Sequence, residues 1–277
     1  MKKLATAITA AFLSAGANAM TISYADFSDL SDFQLNGSTA LISNPTADNS
    51  LRLTNALSQS GSAFLTNTIS LNNQASFSAS FDFRITNPLG ISDGDGQGAD
   101  GIVFVVQTVS NTAGGSGGGI GYQNLPNSVG VEFDTWNNGG WDDNDGNHAG
   151  INLNGNIDSV VQKSVAPRMN NGDVWSAWID YDGVTDLLEV RLSDDGVRSA
   201  TALLSLTVDL ETILGTPDAY IGFTSGTGAA GGYHDILNLE FRDDFNPIGV
   251  SEPGMLSLFG FGFGLLGLAA FRRRLSK

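Results

Sequence analysis

The sequence predicts an all-β protein, a sandwich or jelly roll, framed by an apolar segment at each end. Three observations carry this. Apolar and polar residues alternate with a period of two over several stretches. Turn-forming dipeptides separate those stretches. Helical periodicity shows in one short place, while 35 of the 277 residues are Gly. Many short strands joined by glycine-rich turns pack as stacked sheets.

The N-terminus reads "MKKLATAITAAFLSAGANAM". Lys2 and Lys3 precede a short apolar core, and Ala17-Asn18-Ala19 fits the small-x-small cleavage rule. Residues 1–19 are therefore expected to be a signal peptide, with a mature, exported chain starting at Met20. The chain has no Cys, so core packing or metals, not disulfides, must stabilise it.

In "ASFSASFDFRI", Ala75, Phe77, Ala79, Phe81, Phe83 and Ile85 share one face of a strand, and Ser and charged residues share the other. "GIVFVVQ" at 101–107 is unbroken apolar sequence, which fits a strand covered on both faces. "LLEVRLS" at 187–193 and "ILNLEFR" at 236–242 alternate again. Asp182-Gly183 and Asp195-Gly196 are turns, and "VDLETIL" at 208–214 reads as the one helix. No internal repeat and no linker interrupts the chain before about Asn246. Residues 20–245 form one domain, a size usual for a single all-β unit.

The C-terminal segment 246–277 has another character. Residues 254–271 are apolar and uncharged, long enough to span a bilayer, and Arg272–Arg274 follow, which keeps that end cytoplasmic. The order Ser251-Glu252-Pro253, span, arginine cluster resembles the PEP-CTERM sorting tails of Gram-negative bacteria, with Ser251 in place of the usual first proline. That resemblance implies a membrane protease of the exosortase type as partner. The chain would be held transiently at the membrane and then released to the cell surface or beyond.

The net charge is -16, which excludes nucleic acid as a partner, since phosphate binding needs Lys and Arg. The acids concentrate in "VEFDTWNNGGWDDNDGNHAGI" at 131–151. On a strand Glu132, Asp134 and Trp136 share one face; Asn138 continues that series into the loop, and Asp143 and His148 lie further on, where the chain can fold back. Carboxylates beside an apolar strand are costly to bury unless something positive sits among them. Carboxylates plus imidazole suit a transition metal such as Mn²⁺; carboxylates, an amide oxygen and a backbone carbonyl suit Ca²⁺. An EF-hand fails, because Gly146 at its sixth position puts Trp141 where Asp is needed. A laminarinase-type glycosidase needs Glu-x-Asp-x-x-Glu, and Asn137 stands at the last position, so one of two catalytic carboxyls is missing.

The spacing of Glu132, Asp134, Trp136, Asn138, Asp143 and His148 resembles the metal-binding segment of the legume (L-type) lectins, the concanavalin A-like family. The resemblance implies a concanavalin A-like β-sandwich. It assigns Glu132, Asp134, Asp143 and His148 to the transition metal, and Asp134, Asn138, Asp143 and the Trp136 carbonyl to Ca²⁺. Asn144 departs from the family's Pro, and Asp142 and Asp145 leave a slip of one or two residues open at Asp143.

"GADGIVFVVQ" resembles the family's Ala-Asp-Gly strand start, which makes Asp100 the sugar-binding carboxylate after a cis Ala99–Asp100 bond. "GGGIGYQ" and "GFTSGTGAAGGYHDILNLEF" resemble the other sugar loops. They place Gly118, Ala229 and Ala230 as backbone donors and leave His234 a structural role. Trp136 and Asn138 would serve both metal and sugar. The implied function is a secreted, metal-dependent, non-catalytic binder of glycans or exopolysaccharide, compatible with a homo-oligomer. The alternatives are a concanavalin A-like glycoside hydrolase, or a structural or adhesive matrix protein with a degenerate sugar site.

Overall fold

A computed structural model describes residues 20–43, 49–115 and 117–249. The predicted signal peptide, the span 254–271 and Arg272–Arg274 lie outside the described residues. No helix among the described residues is long and apolar enough to cross a membrane.

Sixteen strands run through the described residues. The first eight are β1 (Thr21–Tyr24), β2 (Phe33–Gly37), β3 (Ala40–Ile42), β4 (Ser50–Thr54), β5 (Ser60–Leu65), β6 (Ile69–Ser70), β7 (Phe77–Gly90) and β8 (Gly101–Gln107). The rest are β9 (Ser128–Asp134), β10 (His148–Leu153), β11 (Val161–Ser164), β12 (Val174–Asp182), β13 (Leu187–Ser193), β14 (Leu204–Thr207), β15 (Asp218–Gly226) and β16 (Ala230–Arg242). One helix, α1 (Leu210–Leu214), is closed by Asp209, whose side chain accepts from the Thr212 N–H, and by Gly215 in the left-handed region.

The strands form two antiparallel sheets. One has the order β14-β13-β12-β7-β16-β4-β3, with β1 on β16; the other has β11-β10-β9-β8-β15-β5-β2, with β6 on β15. Alternation fills the space between them. Phe81 and Phe83 from β7 meet Phe104, Phe133 and Phe223 from the facing sheet. The Phe81–Phe223 rings are 4.9 Å apart and the Phe83–Phe133 rings 5.0 Å. Such edge-to-face and tilted contacts favour this registry beyond simple burial.

The unbroken run of β8 has the predicted double cover. Ile102, Phe104 and Val106 enter the main core, while Val103 and Val105 pack under Ile120, Tyr122 and Leu125. That second layer presses the loop after β8 onto the outer face of the sheet. Strand β7 runs past the predicted Ile85 to Gly90. Pairing decides this, since β16 follows β7 as far as Ala230 opposite Gly90.

Candidate functional site

Strand β9 builds the site through its pleat. Val129, Val131 and Phe133 point into the core, so Glu132 and Asp134 point out of the sandwich, onto the other face. In β10 Ala149 and Ile151 are the core residues, which leaves His148, Gly150 and Asn152 on that same outer face. Gly150 lies opposite Glu132, and its missing side chain leaves the room the Glu132 carboxylate occupies: a Cβ there would stand 2.6 Å from Oε1.

Glu132 is buried and held. Its Oε2 accepts from Asn152 Nδ2 at 2.5 Å, its Oε1 from Ser159 Oγ at 2.6 Å, and His148 Nε2 lies 3.4 Å from Oε1. Asp134 Oδ1 accepts from the Trp136 N–H at 2.6 Å. His148 Nδ1 lies 3.2 Å from the Asp145 carbonyl. A carbonyl only accepts, so Nδ1 carries the proton and Nε2 faces the acids.

The loop after β9 corrects one expectation. Asp142, not Asp143, joins the cluster. Asp134, Asp142 and His148 each offer a ligand atom, and these atoms all lie within 4.8 Å of one another. A 3₁₀ turn at Gly139–Trp141 ends with the Asp142 carboxylate turned back to accept from the Asn138 N–H. Asp143 and Asn144 then adopt positive φ, and Asp143 is exposed to water. The triple of acids 142, 143 and 145 carried no sequence signal that separated them.

Asn138 lies against the loop that carries Gly118. Its Nδ2 lies 3.4 Å from the Gly118 carbonyl, and a Cβ on Gly118 would stand 2.8 Å from Asn138 Oδ1. Trp136 is half-buried. The Ala99–Asp100 peptide is cis, as the resemblance implies. The Asp100 N–H donates to the Gly226 carbonyl at 3.3 Å, and its own carbonyl accepts from the Thr135 N–H at 2.8 Å. Asp100 is thereby pinned between β15 and the end of β9, beside Asp134. Gly226 in turn abuts the Gly117 backbone, so three loops converge there. Ala229 is exposed and Ala230 buried at the start of β16, and the Ala229 carbonyl accepts from the Ile91 N–H.

Two further acids were missed. Asp93 Oδ2 accepts from the Asn137 N–H at 2.9 Å, and Asp95 Oδ2 from the Gly146 N–H at 3.0 Å. They clamp the acidic loop from the β7–β8 connection. The Asp-Gly-Asp-Gly run at 93–96 was the only hint.

The electrostatics are one-sided. Among the described residues no Lys or Arg pairs with Glu132, Asp134 or Asp142. Burial, then the charge of Asp142, pushes Asp100 up to about 7. Burial pushes Asp142 up to about 6; it also holds Asp134 well above the usual carboxylate range, with Glu132 and Asp142 adding repulsion. For His148 burial favours the neutral ring, yet the Glu132 hydrogen bond and the charges of Glu132, Asp142 and Asp145 win, and its pKa rises. Buried Asp100 Oδ2 has no hydrogen-bond partner. Acids held this way fit a cation, and an orphaned carboxylate oxygen fits a polar ligand.

A profile of the family described as Legume lectin domain matches residues 19–253. Bark agglutinin I polypeptide B of Robinia pseudoacacia is 35% identical over 183 residues, covering 62% of this chain and 60% of that protein. L-type lectin-domain containing receptor kinase VIII.1 of Arabidopsis thaliana is 31% identical over 177 residues, covering 61% of this chain but 24% of that protein. The chain thus spans less than two thirds of the length of these relatives. Basic winged bean lectin, solved with Tn-antigen, aligns with a TM-score of 0.69 at 26% identity, covering 81% of this chain and 98% of that one. The lectin from Bauhinia forficata, solved in complex with GalNAc, has a TM-score of 0.67 at 24% identity over 82% of this chain and 100% of that one, which shows a shared fold.

Proposed function

The chain belongs to the legume lectin domain family, and we propose from its site that it is a metal-dependent, non-catalytic carbohydrate-binding protein. One observation carries this reading. Buried Asp100, with one oxygen lacking a partner, stands beside the buried cluster of Asp134, Asp142 and His148. A sugar offers adjacent hydroxyls, and a carboxylate accepts from two of them.

Glu132, Asp134, Asp142 and His148 would hold a transition-metal ion such as Mn²⁺. Asp134, Asp142, Asn138 and the Trp136 carbonyl would hold Ca²⁺. When bound, the ions supply positive charge that relieves repulsion among the acids and keeps the loop in one shape. The protein's own groups do the recognition. Asp100 accepts from hydroxyls, the Asn138 amide donates, and backbone N–H groups of Gly118, Ala229 and Ala230 complete the cradle. An ordered loop binds without first losing entropy. Basic winged bean lectin, solved with Tn-antigen, supports a glycan as ligand.

Hydrolysis is disfavoured. Glu132 is engaged by Ser159 and Asn152 and is buried, only 2% exposed. Export through residues 1–19, and release by an exosortase-type protease acting near Glu252-Pro253, belong to the same reading.

A glycan array tests the function. The protein in excess Ca²⁺ and Mn²⁺ is expected to bind a defined set of glycans, lose them in chelator and regain them on readdition. Binding that survives chelator contradicts metal dependence, and no binding under any condition contradicts the carbohydrate reading.

A further inference from the structure

A row of polar side chains crosses the middle of the sandwich. His234 of β16 and Thr54 of β4 are partners in one sheet, with Nδ1 2.7 Å from Oγ1. Thr54 Oγ1 lies 3.5 Å from Ser225 Oγ of β15, in the facing sheet. Ser225 Oγ donates to the Gly101 carbonyl at 2.7 Å. His234, Thr54 and Ser225 are all fully buried. Placing three polar groups where the neighbours are Phe and Ile is costly unless each is hydrogen-bonded.

The chemistry gives the row a direction. The Gly101 carbonyl can only accept, so the single Ser225 proton is spent on it. Ser225 then accepts from Thr54, and Thr54, its own proton spent, accepts from His234. That requires the proton on His234 Nδ1. Nε2 is left as a bare acceptor, and it has no hydrogen-bond partner. The reverse order would bury an N–H with nothing to accept it, which is the rarer defect. Burial lowers the His234 pKa to about 3, against a smaller opposing pull from the Gly232 backbone. The ring therefore stays neutral near neutral pH and cannot donate from both nitrogens.

The far end of the row is the residue after Asp100. Three bonds grip the Asp100–Gly101 backbone. The Gly226 carbonyl takes the Asp100 N–H, the Thr135 N–H holds the Asp100 carbonyl, and Ser225 Oγ holds the Gly101 carbonyl. Only the last comes from a side chain, and only that side chain continues, through Thr54, to the second sheet.

We infer that His234 is a positioning residue for the carbohydrate site, acting through Thr54 and Ser225 on the Gly101 carbonyl to set the direction in which Asp100 projects. The inference rests on the reading of Asp100 as a sugar ligand. It gives His234 a part in binding although its ring lies on the opposite sheet, out of reach of any sugar.

Two substitutions at Thr54 test it. Thr54→Val keeps the shape and removes the link; Thr54→Ser keeps the hydroxyl. Each variant, with Ser225→Ala, is titrated by calorimetry with a glycan selected on the array, in excess Ca²⁺ and Mn²⁺. Metal content and thermal unfolding are measured in parallel. Thr54→Val and Ser225→Ala should weaken glycan binding roughly tenfold, as for a lost buried hydrogen bond, with metal content unchanged. Thr54→Ser should bind like the wild type. Nitrogen NMR of the wild-type ring should show the proton on Nδ1. Variants that melt earlier but bind glycan normally would reduce the row to a packing feature, and a proton on Nε2 would break the relay outright. A wild type that binds no glycan instead sinks the carbohydrate reading, while the ring proton still reports on the row itself. Should Thr54→Val not fold, Ser225→Ala decides.

Discussion

Asp134 and His148 are direct partners across the β9–β10 ladder. The pairing sets a carboxylate and an imidazole side by side on the outer face, and Asp142 closes the group from the loop, with the three ligand atoms within 4.8 Å of one another. Asp134 is, with Asp142, common to both proposed ion sites, and it is the one that lies on the strand. Asp134→Ala should therefore lose both metals and lower the melting temperature. A ligand at a hundred times its dissociation constant stabilises the folded state by about 2.7 kcal/mol, so the loss should be readily measured. Metal analysis of the purified variant checks it, and full Ca²⁺ occupancy would refute the bridging role.

Asp142 and Asp143 separate the geometry from the sequence reading. Asp142→Asn should cut metal content and abolish chelator-sensitive glycan binding. Asp143→Asn, exposed and outside the cluster, should leave both within about twofold, since surface changes rarely exceed ±0.5 kcal/mol. The opposite pattern would restore Asp143 as the ligand.

Asp100→Asn tests recognition apart from the metals. The shape is kept, but one of two carboxylate oxygens becomes a donor. Glycan affinity should fall by roughly 2 kcal/mol or more, the worth of a charged hydrogen bond, with metal content near wild type. Calorimetry in excess Ca²⁺ and Mn²⁺ measures both, and unchanged affinity would count against Asp100 as the sugar ligand.

Removing the cations should change how stability follows pH. Asp100 sits at about 7 and Asp142 at about 6, against an ordinary 3.8, and Asp134 is raised as well. Between unfolded and folded values only the folded state keeps these protons, so stability falls as pH rises through that window. His148, also raised, adds in the same direction. His234, held at about 3, opposes them only below its ordinary 6.5. Chelated protein should thus melt earlier at pH 8 than at about pH 6.5, and metal-loaded protein should not. A melting temperature that is flat or rising in the chelated protein contradicts this.

Processing leaves a measurable mass. Export with removal of residues 1–19 would turn the Met20 N–H, now 2.5 Å from Asp243 Oδ1, into an ammonium paired with that carboxylate. Intact-mass measurement of the native protein should find a chain starting at Met20 and lacking Arg272–Arg274. A mature form still ending at Lys277 would overturn the sorting reading and leave a tethered binder.

Much of the sandwich was legible because its strands obey a local rule. In β7 Phe77, Phe81 and Phe83 are separated by even numbers of residues, and the pleat alone sends them to one side. The double cover of β8 was readable from the six residues Gly101–Val106, which carry no polar side chain. The helix was readable from its short apolar spacing, and Asp209 and Gly215 close it as side-chain chemistry dictates. Glu132 and Asp134 likewise lie on a strand, so alternation was enough to put them on one face.

The rest depended on groups far apart in sequence. Which of Asp142, Asp143 and Asp145 turns inward follows from a 3₁₀ turn and two positive-φ residues, and no periodicity encodes these. The clamps of Asp93 on Asn137 and Asp95 on Gly146 join segments that only the sheet order brings together. The row from His234 to Gly101 needs both sheets stacked before its hydroxyls can meet. The sequence by itself determined the strands, the acidic loop and the kinds of ligand atom available, because alternation and side-chain chemistry are local. Tertiary structure decided which acid joins the buried cluster and what holds it, because hydrogen bonds between distant strands exist only once hydrophobic burial has set the two sheets face to face.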